Sequence, residues 1–166
     1  RLNTVSNRNY PAFWAPAWIQ RSAGIYPLSE PESKAQVDFV LAHPNIAIAQ
    51  AYHTHSGIIL WGHAALTPDH MPKEDQDNYR AIGEIGEAIT GYPFVSVFYD
   101  LTQDQFNPRH GDFTDWIYEH FGAYGMVVEI WKAPGELGKS AMEGWDQHVA
   151  MEWNDKELGG AGFTDW

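Results

Sequence analysis

The chain contains no cysteine. Disulfides, thiolate metal sites and cysteine nucleophiles are therefore excluded. Positive charge is scarce. Ten Lys and Arg face 22 Asp and Glu, a formal net charge of −12 at pH 7. A nucleic-acid surface would be basic, so no nucleic-acid partner is expected. The excess of acid favours solubility and leaves the fold open. No apolar run approaches the roughly 20 residues of a membrane span, so no membrane partner is expected either. Internal repeats and low-complexity segments are also lacking.

What is present is apolar and aromatic. Hydrophobic residues make up 44%, with eight Trp, eight Tyr and eight Phe. Such a chain is not disordered. The 166 residues suit a single domain, 1–166, able to bury about 70% of its unfolded surface. The chain opens on Arg1 rather than Met and stops at Gly162-Phe163-Thr164-Asp165-Trp166, so a piece of a longer chain is expected.

The sequence is organised around Ile46 to Trp61, IAIAQAYHTHSGIILW. Alternation of Ile46, Ile48 and Gln50 against Ala47, Ala49 and Ala51 predicts a buried strand. His53 and His55 follow at its C-terminal end, two apart and so on one face. Strand ends of this kind hold ligands in open α/β sheets, and imidazole is the commonest metal ligand. A hydrogen-bonded histidine pair at a strand end fits the same residues.

The N-terminal 28 residues are loop-rich, with prolines at 11, 16 and 27. Ser29-Glu30-Pro31-Glu32 has the form of a capping box with proline in the first turn. It predicts a helix to about Ala42, with an apolar stripe of Val37, Val40 and Leu41 and a stop at Pro44. A second helix is predicted over Lys73 to Thr90, with Tyr79, Ile82, Ile85 and Ile89 on one face and Gly91 as its C-terminal cap. Gly83 and Gly86 weaken that helix by roughly 1 kcal/mol each unless close packing needs them. Phe94 to Tyr99 reads as a strand, Phe113 to Phe121 as a short helix closed by Gly122, and Gly125 to Trp131 as a further strand. A last helix is predicted from about Ala141 to Leu158, with His148 and Glu152 four apart. Alternating strands and helices give an α/β fold with a mixed central sheet flanked by helices. Glu129 lies inside an otherwise apolar strand. A carboxylate there is costly unless paired or metal-linked, so it is a functional candidate, with a buried ion pair as the alternative.

Three pieces stand in a specific order. They are Ser6-Asn7-Arg8-Asn9-Tyr10 with Tyr26-Pro27-Leu28-Ser29-Glu30-Pro31-Glu32 after it, His53 at a strand end, and His110-Gly111-Asp112-Phe113-Thr114-Asp115-Trp116-Ile117-Tyr118 with Glu129 fourteen residues beyond Asp115. This ordered set resembles the zinc carboxypeptidases, the family that includes carboxypeptidase A, over residues 5 to 131. The resemblance implies a peptidase acting on peptide substrates with a free C-terminus, and a secreted or periplasmic setting. It implies that Asn7 and Arg8 grip the C-terminal carboxylate, the bidentate geometry explaining arginine rather than lysine. It implies that His53 is a ligand to one Zn2+ ion. Glu129 would be the general base that acts on metal-activated water and then protonates the leaving amine. Thr114 would lie in the specificity pocket and Asp115 would support its wall.

The chain departs from the family at two places. The family's first two zinc ligands come from an upstream His-x-x-Glu, and none of the eight histidines here is followed by Glu at the third position. The remaining ligands are therefore expected upstream of residue 1, and the isolated chain is expected to be inactive, because a catalytic zinc site needs three protein ligands. The family's capping tyrosine, four residues before Gly111, is replaced by Asn107. The alternative from another functional class is a non-catalytic carboxypeptidase-like domain that binds peptide C-termini.

Overall fold

The computed structural model describes residues 5–54, 56–102, 104–130 and 147–157 with Gly159, the side chains of 147–150 excepted. The predicted roles of His55, of Trp131 and of the His148 side chain fall outside the described residues. Four strands form one mixed sheet: β1 (Ile48–Thr54), β2 (Ile58–Trp61), β3 (Phe94–Ser96) and β4 (Tyr124–Ile130). Their spatial order is β1-β4-β2-β3. Pairing is parallel for β1 with β4 and for β2 with β3, and antiparallel for β2 with β4. The helices are α1 (Pro31–Leu41), α2 (Lys73–Thr90), α3 (Phe113–Trp116) and α4 (Gln147–Glu157). The predicted α/β fold with a mixed, helix-flanked sheet is thus the observed one.

Burial decides the sheet's two faces. Met126 and Val128 of β4 pack with Ile59, Tyr79 and Met71 under α2. The opposite face carries Val127 with Ile58, Leu60, Ala64 and Val97. His53 and Glu129 continue that second face, because side chains alternate along each strand. A third cluster joins α1 to α3 through Val37, Val40, Tyr10, Trp116 and Ile117.

Four local predictions need correction. Among the described strands β1 lies at an edge rather than buried: its residues alternate exposed and half-buried, and Tyr52 is 66% exposed. The capping box at Ser29 does not form. The helix N-cap is Glu30, whose backbone N–H donates to Asn9 Oδ1 (3.1 Å), while Ser29 Oγ donates to the Glu30 carboxylate (2.9 Å). The strand from Phe94 ends at Ser96. There the Asp100 carboxylate accepts the Ser96 N–H (2.7 Å) and Ser96 Oγ accepts the Tyr99 N–H (3.3 Å), which turns Val97–Leu101 into a π-type turn. In α2, Ile85 and Ile89 are exposed, and the packed face is Tyr79, Ile82, Gly83 and Gly86. A Cβ on Gly83 would meet the Phe94 ring at 2.3 Å, and one on Gly86 would meet Ile59 at 2.7 Å. Close packing is therefore the reason for both glycines.

Candidate active site

The parallel register of β1 and β4 sets His53 directly beside Glu129. Nδ1 of His53 lies 3.6 Å from Glu129 Oε1. Both side chains are partly buried, and the carboxylate's second oxygen, Oε2, is buried with no hydrogen-bond partner among the described residues. An unpaired carboxylate oxygen in a strand interior is unusual, since buried polar atoms are nearly always satisfied. The contact with Glu129 raises the His53 pKa against the opposing effect of burial, and the charges of Asp112 and Arg8 also reach it.

Asn7 and Arg8 sit on a 3-10 turn, Ser6–Arg8. Their side chains converge on Asp112. Asn7 Nδ2 donates to Asp112 Oδ2 at 2.9 Å, and Arg8 Nη1 approaches the same oxygen at 3.3 Å. Arg8 Nη1 also donates to the Asn7 carbonyl. Asn7 Oδ1 accepts the Phe113 N–H at 2.8 Å. The other oxygen, Asp112 Oδ1, accepts from Thr114 N (3.0 Å) and from the Thr114 hydroxyl (2.9 Å). The three residues expected to bind substrate, Asn7, Arg8 and Thr114, are thus joined through one buried carboxylate. Thr114 itself is buried, with its hydroxyl engaged.

Sequence reading missed Asp112. It is the N-cap of α3, and an Asp two residues before Thr114 and next to a glycine is a recognisable cap signal. It also missed Asn9, which is fully buried. Asn9 Nδ2 donates to the carbonyls of Ala23 (2.7 Å) and Tyr26 (3.0 Å), closing the loop that ends at α1. Asp115 was expected in a supporting role. It is fully buried and accepts the backbone N–H groups of Ala64 (2.7 Å) and Ala65 (3.2 Å). Burial raises its pKa, with the Asp112 charge adding to the effect.

The 109–112 segment is pressed against Arg8. Gly111 has φ +70, and a Cβ there would fall 2.4 Å from the Arg8 carbonyl oxygen. Gly111 O accepts the Tyr10 N–H (3.0 Å), and His110 Nδ1 lies 3.0 Å from the Phe13 carbonyl. Beside these groups a cavity of about 330 Å³ is lined by Asn7, Tyr10, Gln36, Gln50, His53 and Phe113, among others. The Tyr10 hydroxyl donates to Gln36 there. Burial, reinforced by Asp112, pushes its pKa up to about 12, so it stays protonated.

Among the described residues no three His, Asp or Glu side chains come together to hold a metal. His53 offers one imidazole nitrogen and Glu129 one unpaired oxygen beside it. That donor set does not hold zinc alone, because a catalytic site takes three protein ligands.

The family profile described as zinc carboxypeptidase matches residues 3–142. The uncharacterized protein YqgT of Bacillus subtilis (strain 168) is 25% identical over 140 residues, covering 79% of this chain and 33% of its own length. Among solved structures, thrombin activatable fibrinolysis inhibitor aligns with a TM-score of 0.61 at 24% identity, covering 78% of this chain and 34% of that one. Carboxypeptidase A from Helicoverpa armigera aligns with a TM-score of 0.60 at 21% identity, covering 75% and 32%. The chain spans about a third of the length of these relatives.

Proposed function

The chain belongs to the zinc carboxypeptidase family, and from that premise we propose that it contributes the base and the carboxylate-binding half of a metallocarboxypeptidase site. The reaction is hydrolysis of the C-terminal peptide bond. The observation that carries the reading is the Glu129 carboxylate, one oxygen beside His53 and the other buried without a partner among the described residues. A base needs a lone pair free to take up a proton, and Oε2 accepts no hydrogen bond from the described residues.

Each residue has a role in this reading. Glu129 takes a proton at Oε2 and returns it to the departing amine. His53 serves as one zinc ligand, and two more would come from outside the described residues. Zinc, when bound, activates water and polarises the scissile carbonyl. Asn7 and Arg8 receive the peptide's C-terminal carboxylate. Among the described residues only Nη1 of the guanidinium is engaged, with Asp112 and the Asn7 carbonyl, which leaves its other N–H donors for a ligand. Thr114 shapes the pocket for the last side chain through its bond to Asp112. With one such ligand among the described residues, the chain by itself is expected to hydrolyse nothing.

The test is zinc content and peptidase activity, on this chain and on the full protein that carries it. About one zinc per molecule and chelator-sensitive release of C-terminal residues, seen only in the full protein, is the expected result. Glu129→Gln should then lower kcat by about 100-fold or more, the usual contribution of a positioned acid–base group, with zinc retained. Full activity in that variant would remove Glu129 from the mechanism. Activity equal on free and amidated C-termini would remove the Asn7 and Arg8 assignment.

A further inference from the structure

Residues 7–10 and 111–113 are far apart in the chain and hydrogen-bonded to each other at the site. The Tyr10 N–H donates to the Gly111 carbonyl (3.0 Å) and the Phe113 N–H to Asn7 Oδ1 (2.8 Å). Asn7 Nδ2 (2.9 Å) and Arg8 Nη1 (3.3 Å) both donate to Asp112 Oδ2. The other oxygen, Oδ1, accepts from the Thr114 N–H (3.0 Å) and hydroxyl (2.9 Å). Of the ion pair, the carboxylate is the deeper partner, its side chain 7% exposed against 20% for Arg8. Asp112 is thus anchored by α3 through one oxygen and holds the two expected carboxylate-binding residues through the other.

That arrangement fixes directions as well as positions. Arg8 Nη1 has two acceptors, Asp112 Oδ2 and the Asn7 carbonyl, which together set the plane of a rigid guanidinium. The Asn7 amide is held at both ends, Oδ1 by Phe113 and Nδ2 by Asp112. The backbone beneath has no slack, since a Cβ on Gly111 would fall 2.4 Å from the Arg8 carbonyl oxygen. Donors ordered before the ligand arrives spare it the entropy of ordering them, and a planar two-bond contact is sensitive to their direction. Charge works the other way. A carboxylate beside Arg8 repels an incoming anion. Its two oxygens accept from four donors, which offset that charge, so the geometric effect is the larger.

We infer that Asp112 is a positioning residue for substrate: it sets Arg8 and Asn7 for the terminal carboxylate and couples that grip to Thr114. This rests on the proposed function for the place of the carboxylate. Two consequences are specific to it. Neutralising Asp112 weakens carboxylate recognition, although removal of a like charge alone would strengthen it. Loss of the Thr114 hydroxyl weakens recognition of a group that Thr114 is not expected to touch, because the loss acts through Asp112.

Calorimetric titration of the full, zinc-loaded protein tests this, with Glu129→Gln in every sample to stop turnover. The probes are N-acetylalanylalanine and its C-terminal amide. The ratio of their affinities is the readout, because a general loosening of the fold weakens both alike. With the site otherwise natural, the acid should bind about tenfold or more tightly than the amide, as a charge-assisted contact implies. Asp112→Asn should lower that ratio at least threefold. Asp112→Glu keeps the charge, displaces the carboxylate and should lower it too. Thr114→Val should lower it about twofold. A ratio unchanged or raised in Asp112→Asn overturns the inference. If that variant does not fold, Thr114→Val decides, and an unchanged ratio there overturns it. A ratio near one with the site otherwise natural removes the C-terminal grip and the inference with it. A high ratio that collapses in Arg8→Gln and survives in Asp112→Asn keeps the grip and removes the inference alone.

Discussion

At the scale of single residues, one carboxylate holds three candidate site residues together. Asp112 caps α3 and ties Asn7, Arg8 and Thr114 together. Asparagine has nearly the same shape but only one acceptor oxygen. In Asp112→Asn, one set of donors, Thr114 or the Asn7–Arg8 pair, would face an NH2 group. Loss of hydrogen bonds to a charged acceptor is expected to cost about 1.5–3 kcal/mol of stability, measured by urea denaturation. An unchanged midpoint would mean that the neighbours re-pair with water. His63 makes a second residue-level case. It is fully buried, its Nε2 lies 2.6 Å from Glu119 Oε1, and its Nδ1 has no partner among the described residues. The rings of Phe13 and Tyr118 stand edge-on to it. Burial holds its pKa below the usual histidine value, more than the Glu119 contact raises it. The folded state thus resists a proton that the unfolded chain accepts below about pH 6.5. Stability contributed by His63 is present above that pH and falls as pH drops from it towards the folded value. Thermal melts at pH 7.5 and 5.5 should show the loss, and His63→Asn should flatten it. Equal slopes in the two proteins would remove His63 as the cause.

At the scale of elements, α2 shows both what a sequence reveals and what it hides. Its bounds, Lys73–Thr90, and its left-handed Gly91 cap are those predicted, because periodicity and capping are local signals. Its packed face was misjudged. Ile85 and Ile89 carry hydrophobicity outward, while Gly83 and Gly86 let Phe94 and Ile59 approach the helix backbone. That contact belongs to tertiary packing, which no window of α2 contains. Gly83→Ala gains roughly 1 kcal/mol of helix propensity and drives a methyl into the Phe94 ring, which is stacked on Trp61 (centroids 5.5 Å, interplanar angle 15°). Overpacking of this kind costs about 1–3 kcal/mol. A net loss is expected in chemical denaturation, and a stabilised variant would show that the ring moves freely. The same contrast runs through the site. His53 and Glu129 were visible as polar residues in apolar strands, each a local anomaly. Their adjacency needed the strand register. Asp112 reaches Asn7 across 105 positions, and Asn9 reaches Ser29 across 20. Such pairings leave no trace in composition or spacing, which is why the capping box was expected at Ser29 and found remade by Asn9.

At the scale of the whole molecule, two properties oppose each other. β1 is an edge among the described strands, seven residues long. Ile48 (49% exposed) and Tyr52 (66% exposed) lie on its outward-facing side, where α2 does not reach. A long edge with apolar side chains is a template for pairing with another chain. β3, the opposite edge, has only three residues and offers a poorer template. Against this stands the net charge of −12, which keeps copies apart. Repulsion between exposed charges is screened over about 10 Å at 0.1 M salt and over about 3 Å at 1 M, whereas strand pairing and apolar contact are not. The isolated chain should therefore associate more readily as salt rises, the reverse of an association held by ion pairs. Sedimentation velocity at 0.05 M and 0.5 M NaCl reads the difference. Ile48→Lys with Tyr52→Lys places cations along the edge, a device natural edge strands use, and should hold the chain monomeric at both concentrations. If the double variant associates as the natural sequence does, the contact lies elsewhere, and the apolar turn bearing Trp18 and Ile25 (85% and 74% exposed) becomes the surface to alter next.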